Sequence, residues 1–204
     1  MKKRLRFLSA SSKVGKSVFT VLTAYYLKSL DIPFLIEELD PFHTVGTFVD
    51  DEFEIIYYFD LNQFLYSHGN LIIDQSKLKR GYDNTIWNIL ISDMLTKISP
   101  EHEAIKFQNI ITSNNVNVFL TELNKLEEII EYAKMWNDGQ KILVVNMVPD
   151  NQLSTVEDDI IDLVYEKGIF KATFVFPFDN KIRFLDPEKV GWFRESLPKI
   201  LYLE

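Results

Sequence analysis

Short, uniformly apolar runs alternate along this chain with longer segments whose apolar residues recur every three or four positions. The first run, Leu5–Ser9, follows a basic start and predicts a strand. From Ser17 to Leu30, the residues Val18, Val21, Leu22, Tyr25 and Leu30 fall at helical spacing. Ile32–Leu39 predicts a second strand. Asp40-Pro41 stops it, because a residue before proline leaves the helical region and proline punctuates. Residues 47–66 mix strand and helix patterns and take no single assignment. Asn70–Asp74 predicts a short strand ending in a carboxylate, the polar stretch Gln75–Asn84 with Gly81 a mobile loop, and Thr85–Ile98 a helix. Beyond these, Asn117–Thr121, Lys141–Val148 and Ala172–Phe176 predict strands. Leu123–Trp136, Val156–Lys167 and Phe193–Leu203 predict helices, the second closed by Gly168.

The predicted strands are apolar throughout rather than alternating, the signature of a parallel sheet covered on both faces. The expectation is a three-layer α/β fold with a mostly parallel central sheet. At 204 residues it is read as a single domain over 1–204. The absence of cysteine excludes a disulfide framework and a thiolate metal site, and fits a reducing cytoplasmic setting. The apolar run after the basic N-terminus is too short for a signal peptide. No apolar stretch approaches the ~20 residues of a membrane span. A net charge of −8 argues against general polyanion binding. Any DNA contact is expected to be weak, salt-sensitive and local, with Lys181, Arg183, Lys189 and Arg194 as candidates. His43, His68 and His102 show no metal spacing and are read as surface or loop histidines. The aromatics Phe53, Tyr57, Tyr58, Phe59, Phe64 and Tyr66 suit either a core or a partner interface. Glu122, Glu127, Glu128 and Glu131 read as a solvated helix face.

The chemistry gathers between the first strand and the first helix, at Ala10-Ser11-Ser12-Lys13-Val14-Gly15-Lys16-Ser17. The phosphate-binding loop is G-x-x-x-x-G-K-S/T; its last three letters match here, and Ala10 replaces the first glycine. A helix N-terminus offers unpaired N–H groups and a positive dipole end to an anion. Ser12, Lys13, Val14 and Val18 complete the candidate binding turn. Gly15 allows close backbone approach, Lys16 reaches the outer phosphates, and the Ser17 hydroxyl is a Mg²⁺ ligand. A helix-capping turn that carries G-K-S by chance is the alternative. Two carboxylates favour the nucleotide site. Asp74 ends an apolar run and is assigned to the metal; the alternative is a turn cap. Asp40 ends the second strand with Glu38 on the same side of it, Glu38 being either part of the site or a solvated strand end. Ligands of open α/β sheets bind beyond the carboxyl ends of strands, where these residues are placed.

Ser11–Ser17 resembles the deviant phosphate loop of the ParA/MinD ATPases, K-G-G-x-G-K-S/T. Glu38-Leu39-Asp40-Pro41 resembles their D-x-D-P, and Leu71–Asp74 the strand before their second switch. Val144-Val145-Asn146 is similar to their base-contacting strand end, and Phe176-Pro177-Phe178-Asp179-Asn180-Lys181-Ile182-Arg183 to their I-P-x-D-x-x-I-R. The order of these five segments covers most of the chain. The resemblance implies a P-loop ATPase that binds ATP with Mg²⁺, with Lys16 and Asp40 catalytic and Ser17, Asp40 and Asp74 at the metal. Asn146 would bond the base edge, or else be a buried amide satisfied by backbone; Pro177 would wall the base pocket. It further implies an ATP-dependent homodimer, an adaptor protein that stimulates hydrolysis, and a setting in partition, conjugation or positioning. The family's signature lysine falls at Ser11, and its two following glycines at Ser12 and Lys13. A nucleotide-binding module with little hydrolysis is therefore a second reading. A ligase or kinase similar to dethiobiotin synthetase, whose loop reads T-x-V-G-K-T, is a third.

Overall fold

β1 (Lys3–Leu8) is the central strand, and its alternating side chains feed two separate cores. Leu5 and Phe7 face one layer of helices; Arg4, Arg6 and Leu8 face the other. In the computed structural model the described residues are all but Met1, Asp50, Leu61, Gln63, Phe64, Tyr66–Asn70, Leu203 and Glu204, with the side chains of Glu157, Leu163, Tyr165 and Glu166 also outside the description. His68, Phe64 and Tyr66 therefore lie outside the described residues.

The other strands are β2 (Phe34–Glu38), β3 (Ile55–Tyr57), β4 (Ile89–Asp93), β5 (Asn115–Thr121), β6 (Gln140–Val148) and β7 (Ala172–Pro177). They form one sheet in the order β3-β2-β4-β1-β5-β6-β7, every pair parallel. Among the described residues the helices are α1 (Lys16–Ser29), α2 (Thr44–Val49), α3 (Gln75–Asn84), α4 (Glu103–Ile111), α5 (Leu126–Lys134), α6 (Leu153–Lys167) and α7 (Gly191–Leu201). Buried residues of α1, α2 and α7 join one core, those of α3, α4, α5 and α6 the other. The expected three-layer α/β architecture with a parallel sheet is what forms. α6 ends at Gly168, whose φ of 60° is the left-handed conformation glycine adopts without strain. No helix among the described residues is long and apolar enough to cross a membrane.

Three expectations fail between residues 70 and 98. Within residues 85–98 the chain forms β4 (Ile89–Asp93), not a helix: Ile89, Leu90 and Ile91 are buried between β2 and β1, and a short apolar run does not distinguish a buried strand from a helix by period. Leu71–Asp74 is not a strand, and Ile72 is exposed. Gln75–Asn84 is not a loop but α3, which buries Leu78 and Tyr82 at i,i+4 and holds Gly81 against Ile56.

The second core contains a polar network the chain's basic start did not advertise. Arg4 is wholly buried and grips Glu37 with two bonds, Nε to Oε2 at 2.8 Å and Nη2 to Oε1 at 3.0 Å. Tyr82 and Ser92 donate to the same carboxylate, and Arg4 Nη1 donates to the Gln108 carbonyl at 2.7 Å. Burial alone would raise the Glu37 pKa; Arg4 and the hydroxyls reverse this and hold it below the ordinary value. Arg6 is equally buried, bonded to Gln108 Oε1 at 2.8 Å and Asp138 Oδ2 at 2.6 Å.

Candidate functional site

The chain turns sharply after β1 and enters α1 through Gly15, the N-cap, at φ 100°. Only glycine adopts this conformation freely, and a Cβ there would stand 2.9 Å from Asn146 Nδ2. Lys13 is also left-handed, at φ 62°, and exposed. Leu8 and Phe7 anchor the start of the turn in the two cores; Phe19, stacked on Phe176 at 5.8 Å, anchors its end. A pocket of about 710 Å³ opens over this turn, lined by Ser12, Lys13, Gly15, Lys16, Ser17 and Val18. Asp40, Thr44, Asp93, Thr96 and Met147 complete its polar and strand-end walls. Val14 is buried beneath it.

Lys16 Nζ donates to Ser9 Oγ at 2.8 Å and Thr96 Oγ1 at 3.0 Å. Burial lowers the ammonium's pKa, while the charges of Asp93 and Asp40 oppose that. Ser17 Oγ donates to Asp93 Oδ2 at 2.7 Å. Asp93 closes β4 directly beside β1, so the sheet register itself delivers a carboxylate to the start of α1. Its other oxygen, Oδ1, is buried with no hydrogen-bond partner among the described residues. Desolvation pushes the Asp93 pKa up to about 6, against the pull of Lys16 and Ser17.

This placement corrects the assignment of Asp74. Asp74 is an exposed N-cap on α3, accepting from the Ser76 and Lys77 amides at 3.1 Å each. Those bonds hold its pKa below the ordinary value. It lines a separate pocket of about 230 Å³ with His43 and Lys77. The carboxylate beside Ser17 is Asp93, which sequence reasoning missed. Each residue closes a run led by three apolar residues, Leu71-Ile72-Ile73 before Asp74 and Ile89-Leu90-Ile91 before Ser92-Asp93, so the local sequence does not separate them.

Asp40 lies where expected, on the pocket wall. Its Oδ1 accepts from the Phe42 amide at 3.0 Å and its Oδ2 from the Thr44 hydroxyl. Glu38 is not solvated: it is wholly buried and accepts from the amides of Val45 and Gly46 at 2.6 and 3.1 Å. Desolvation pushes its pKa up to about 8, with Asp93 and Asp40 adding to the rise and the two amides resisting it. His43 stacks on Tyr57 with centroids 4.1 Å apart, and His102 caps α4, its Nδ1 accepting from Ala104 N at 3.1 Å.

Asn146 stands at the carboxyl end of β6, behind the turn. It is buried and donates to the Val14 carbonyl at 3.1 Å, tying the end of β6 to the turn. Met147, left-handed at φ 60° in a bulge of β6, lines the pocket instead. Pro177 ends β7 outside that lining. Two of the four candidate DNA-contacting cations are paired locally: Lys189 with Asp186 at 3.5 Å, and Arg194 with Glu188.

Among the described residues no group of three or more His, Cys, Asp or Glu is arranged to hold a metal ion, so an all-protein cage is absent. Mg²⁺ does not require one, because it is commonly held by one or two protein oxygens together with substrate phosphates and water. The orphaned Asp93 Oδ1 beside Ser17 Oγ fits that donor set.

No family model matches the sequence. Nor does comparison with curated protein sequences return a match. Solved structures do share the fold. The septum site-determining protein MinD of Pyrococcus horikoshii, complexed with Mg-ADP, superposes with TM-score 0.60 at 13% identity, covering 96% of this chain and 90% of that one. A plasmid partition protein of Borrelia burgdorferi gives 0.59 at 12%, covering 97% and 99%. Cobyrinic acid a,c-diamide synthase of Mycobacterium smegmatis, with bound ADP and magnesium, gives 0.61 at 10%, covering 98% and 95%. The architecture is thus that of the MinD and ParA type of P-loop fold.

Proposed function

We propose that this chain binds ATP with Mg²⁺ at the turn Ser12–Ser17 and hydrolyses it as a MinD/ParA-type switch. The observation that carries this reading is the convergence of Lys16, Ser17 and the half-unpaired Asp93 at one helix N-terminus. ADP with magnesium in the MinD and synthase structures supports the choice of ligand. Ser17 and Asp93 would hold the ion, which supplies charge neutralisation on the phosphate oxygens. The amides of Gly15, Lys16 and Ser17 point beyond the start of α1, where an anion meets both N–H groups and the positive dipole end. Lys16 exchanges the two hydroxyls of Ser9 and Thr96 for an outer phosphate, trading neutral acceptors for a charged one. Asp40 faces the same pocket and orients the attacking water. Met147, beside the tethered Asn146, takes the position against the base.

The reading extends to an ATP-dependent homodimer weaker than the family norm. Ser11 is too short to reach a second subunit's phosphates, and the loss of one charge-assisted bond removes about 1.5–3 kcal/mol. Lys13, exposed beside it, is the nearby cation to compensate. A second reading, a ligase or kinase acting on a small molecule, draws on the same fold in the cobyrinic acid synthase.

Phosphate release, assayed on the parent chain and on Asp40→Ala, tests the proposal. Turnover without added metabolite is expected from the parent. The variant should fall about a hundredfold or more while still binding ATP. Sizing the same samples with a non-hydrolysable analogue should show a dimer that Lys13→Ala weakens. Parental turnover in Asp40→Ala would remove its chemical role, and turnover only with an added acceptor would select the ligase or kinase.

A further inference from the structure

Asp40, Thr44 and Phe48 all reach the phosphate pocket from one short segment, and something must fix that segment's height above the sheet. α2 has six residues, too few to hold a helix by hydrogen bonding alone. Val45 and Val49 bury its apolar side, but apolar contact is non-directional and does not set its position along its own axis. The directional contacts come from Glu38, the last residue of β2, whose two oxygens accept from the amides of Val45 and Gly46. These amides immediately follow Thr44, whose hydroxyl bonds Asp40. On the far side α2 rests against Tyr57: a Cβ built on Gly46 would collide with Tyr57 Oη.

A wholly buried carboxylate in register with Asp93 on the next strand is an expensive way to fill space. An apolar residue would pack there without burying a third carboxyl group beside Asp93 and Asp40. What a carboxyl group adds is a pair of oxygens at fixed separation, each accepting from one amide of α2. We infer that Glu38 is a positioning residue for the proposed hydrolysis: it clamps the start of α2 so that Thr44 and Asp40 are presented to the phosphate loop. Glutamine cannot replace it. Its amide oxygen accepts one N–H, and its NH₂ then meets the other N–H donor to donor.

The inference rests on the proposed ATPase reading, and the test separates the two. ATP turnover, calorimetry with Mg·ADP and hydrogen exchange over residues 40–49 are measured on the parent and Glu38→Gln. The variant should lose about tenfold or more in kcat, because a small misplacement of catalytic groups costs that much. KM and the Mg·ADP affinity should stay within about threefold, since the hydrogen bonds of Glu38 go to α2 rather than to the phosphate loop. Exchange should quicken at Val45 and Gly46 and not in α1. Gly46→Ala should lower kcat by the same route. Adding Tyr57→Phe, which removes the colliding hydroxyl and leaves the ring Cζ at 3.3 Å, should restore most of it. A general loss of stability would not be rescued in this way. Parental kcat in Glu38→Gln, or a fall in kcat matched by an equal fall in ADP affinity, overturns the inference while leaving the ATPase reading intact. A parent chain that neither binds nor hydrolyses ATP overturns both.

Discussion

Replacing Glu37 with leucine is expected to destabilise the folded chain by about 3–5 kcal/mol, a large part of the roughly 5–15 kcal/mol that holds a domain together. The cause is what is left behind. Arg4 stays wholly buried on the central strand β1 with its carboxylate partner gone, and the hydroxyls of Tyr82 and Ser92 lose the acceptor they share. An unpaired buried charge costs far more than the net worth of the pair. Arg4→Met in the same chain should recover much of the loss, because a linear apolar side chain fills similar space without a charge. Urea denaturation of the parent, the single variant and the double variant checks this. A cost below about 1 kcal/mol for Glu37→Leu would mean the network contributes shape and little else.

Asp93→Asn should act in opposite directions on stability and function. The Asp93 carboxyl is held at about 6 in the fold against 3.8 in an exposed chain, so the folded state prefers it protonated. Its contribution is fully present below the unfolded value and is lost as pH rises through the folded one. By about pH 8 the accumulated penalty is on the order of 3 kcal/mol, and asparagine removes it. The ligand-free variant should therefore melt higher than the parent at about pH 8, with the difference shrinking toward about pH 5. The same substitution should weaken Mg·ATP binding and remove its metal dependence, since the oxygen left unpartnered at the mouth of α1 is no longer anionic. Thermal melts at the two pH values, with calorimetry in the presence and absence of Mg²⁺, read both effects. A variant that is less stable at high pH and still metal-dependent would show that Asp93 is satisfied without a cation.

The parts of the fold that were legible are those where local and global signals agree. Leu5–Ser9, the G-K-S turn and the Ser17–Leu30 periodicity form a strand, loop and helix because one apolar face, one glycine and one run of spacing all favour the same geometry. Gly168 and the Lys141–Val148 run were equally plain. The failure over residues 70–98 has a physical origin. Leu71-Ile72-Ile73-Asp74 and Ile89-Leu90-Ile91-Ser92-Asp93 have the same local character, and only tertiary pairing with β1 and β2 selects the second as a strand. The carboxylate assigned to the metal followed the same choice, falling on Asp74 rather than on Asp93 beside Ser17. Burial of Glu38 and Arg4 was illegible for a related reason: a charged residue reads as solvated until its partner, distant in the chain, is brought to it. The place of Asn146 near the end of β6 was legible, but its bond to the Val14 carbonyl depends on the bulge that follows.

Whether the turn after β1 is a nucleotide site is decided by calorimetric titration of the parent and Lys16→Ala with ATP and Mg²⁺. Lys16 meets the hydroxyls of Ser9 and Thr96, so its truncation should leave the fold intact, which circular dichroism verifies. The parent should bind one ATP per chain. The variant should bind at least about a hundredfold more weakly, the loss of its charge-assisted bonds to phosphate. Equal affinity in the two proteins, or no heat of binding from a folded parent, would contradict the claim.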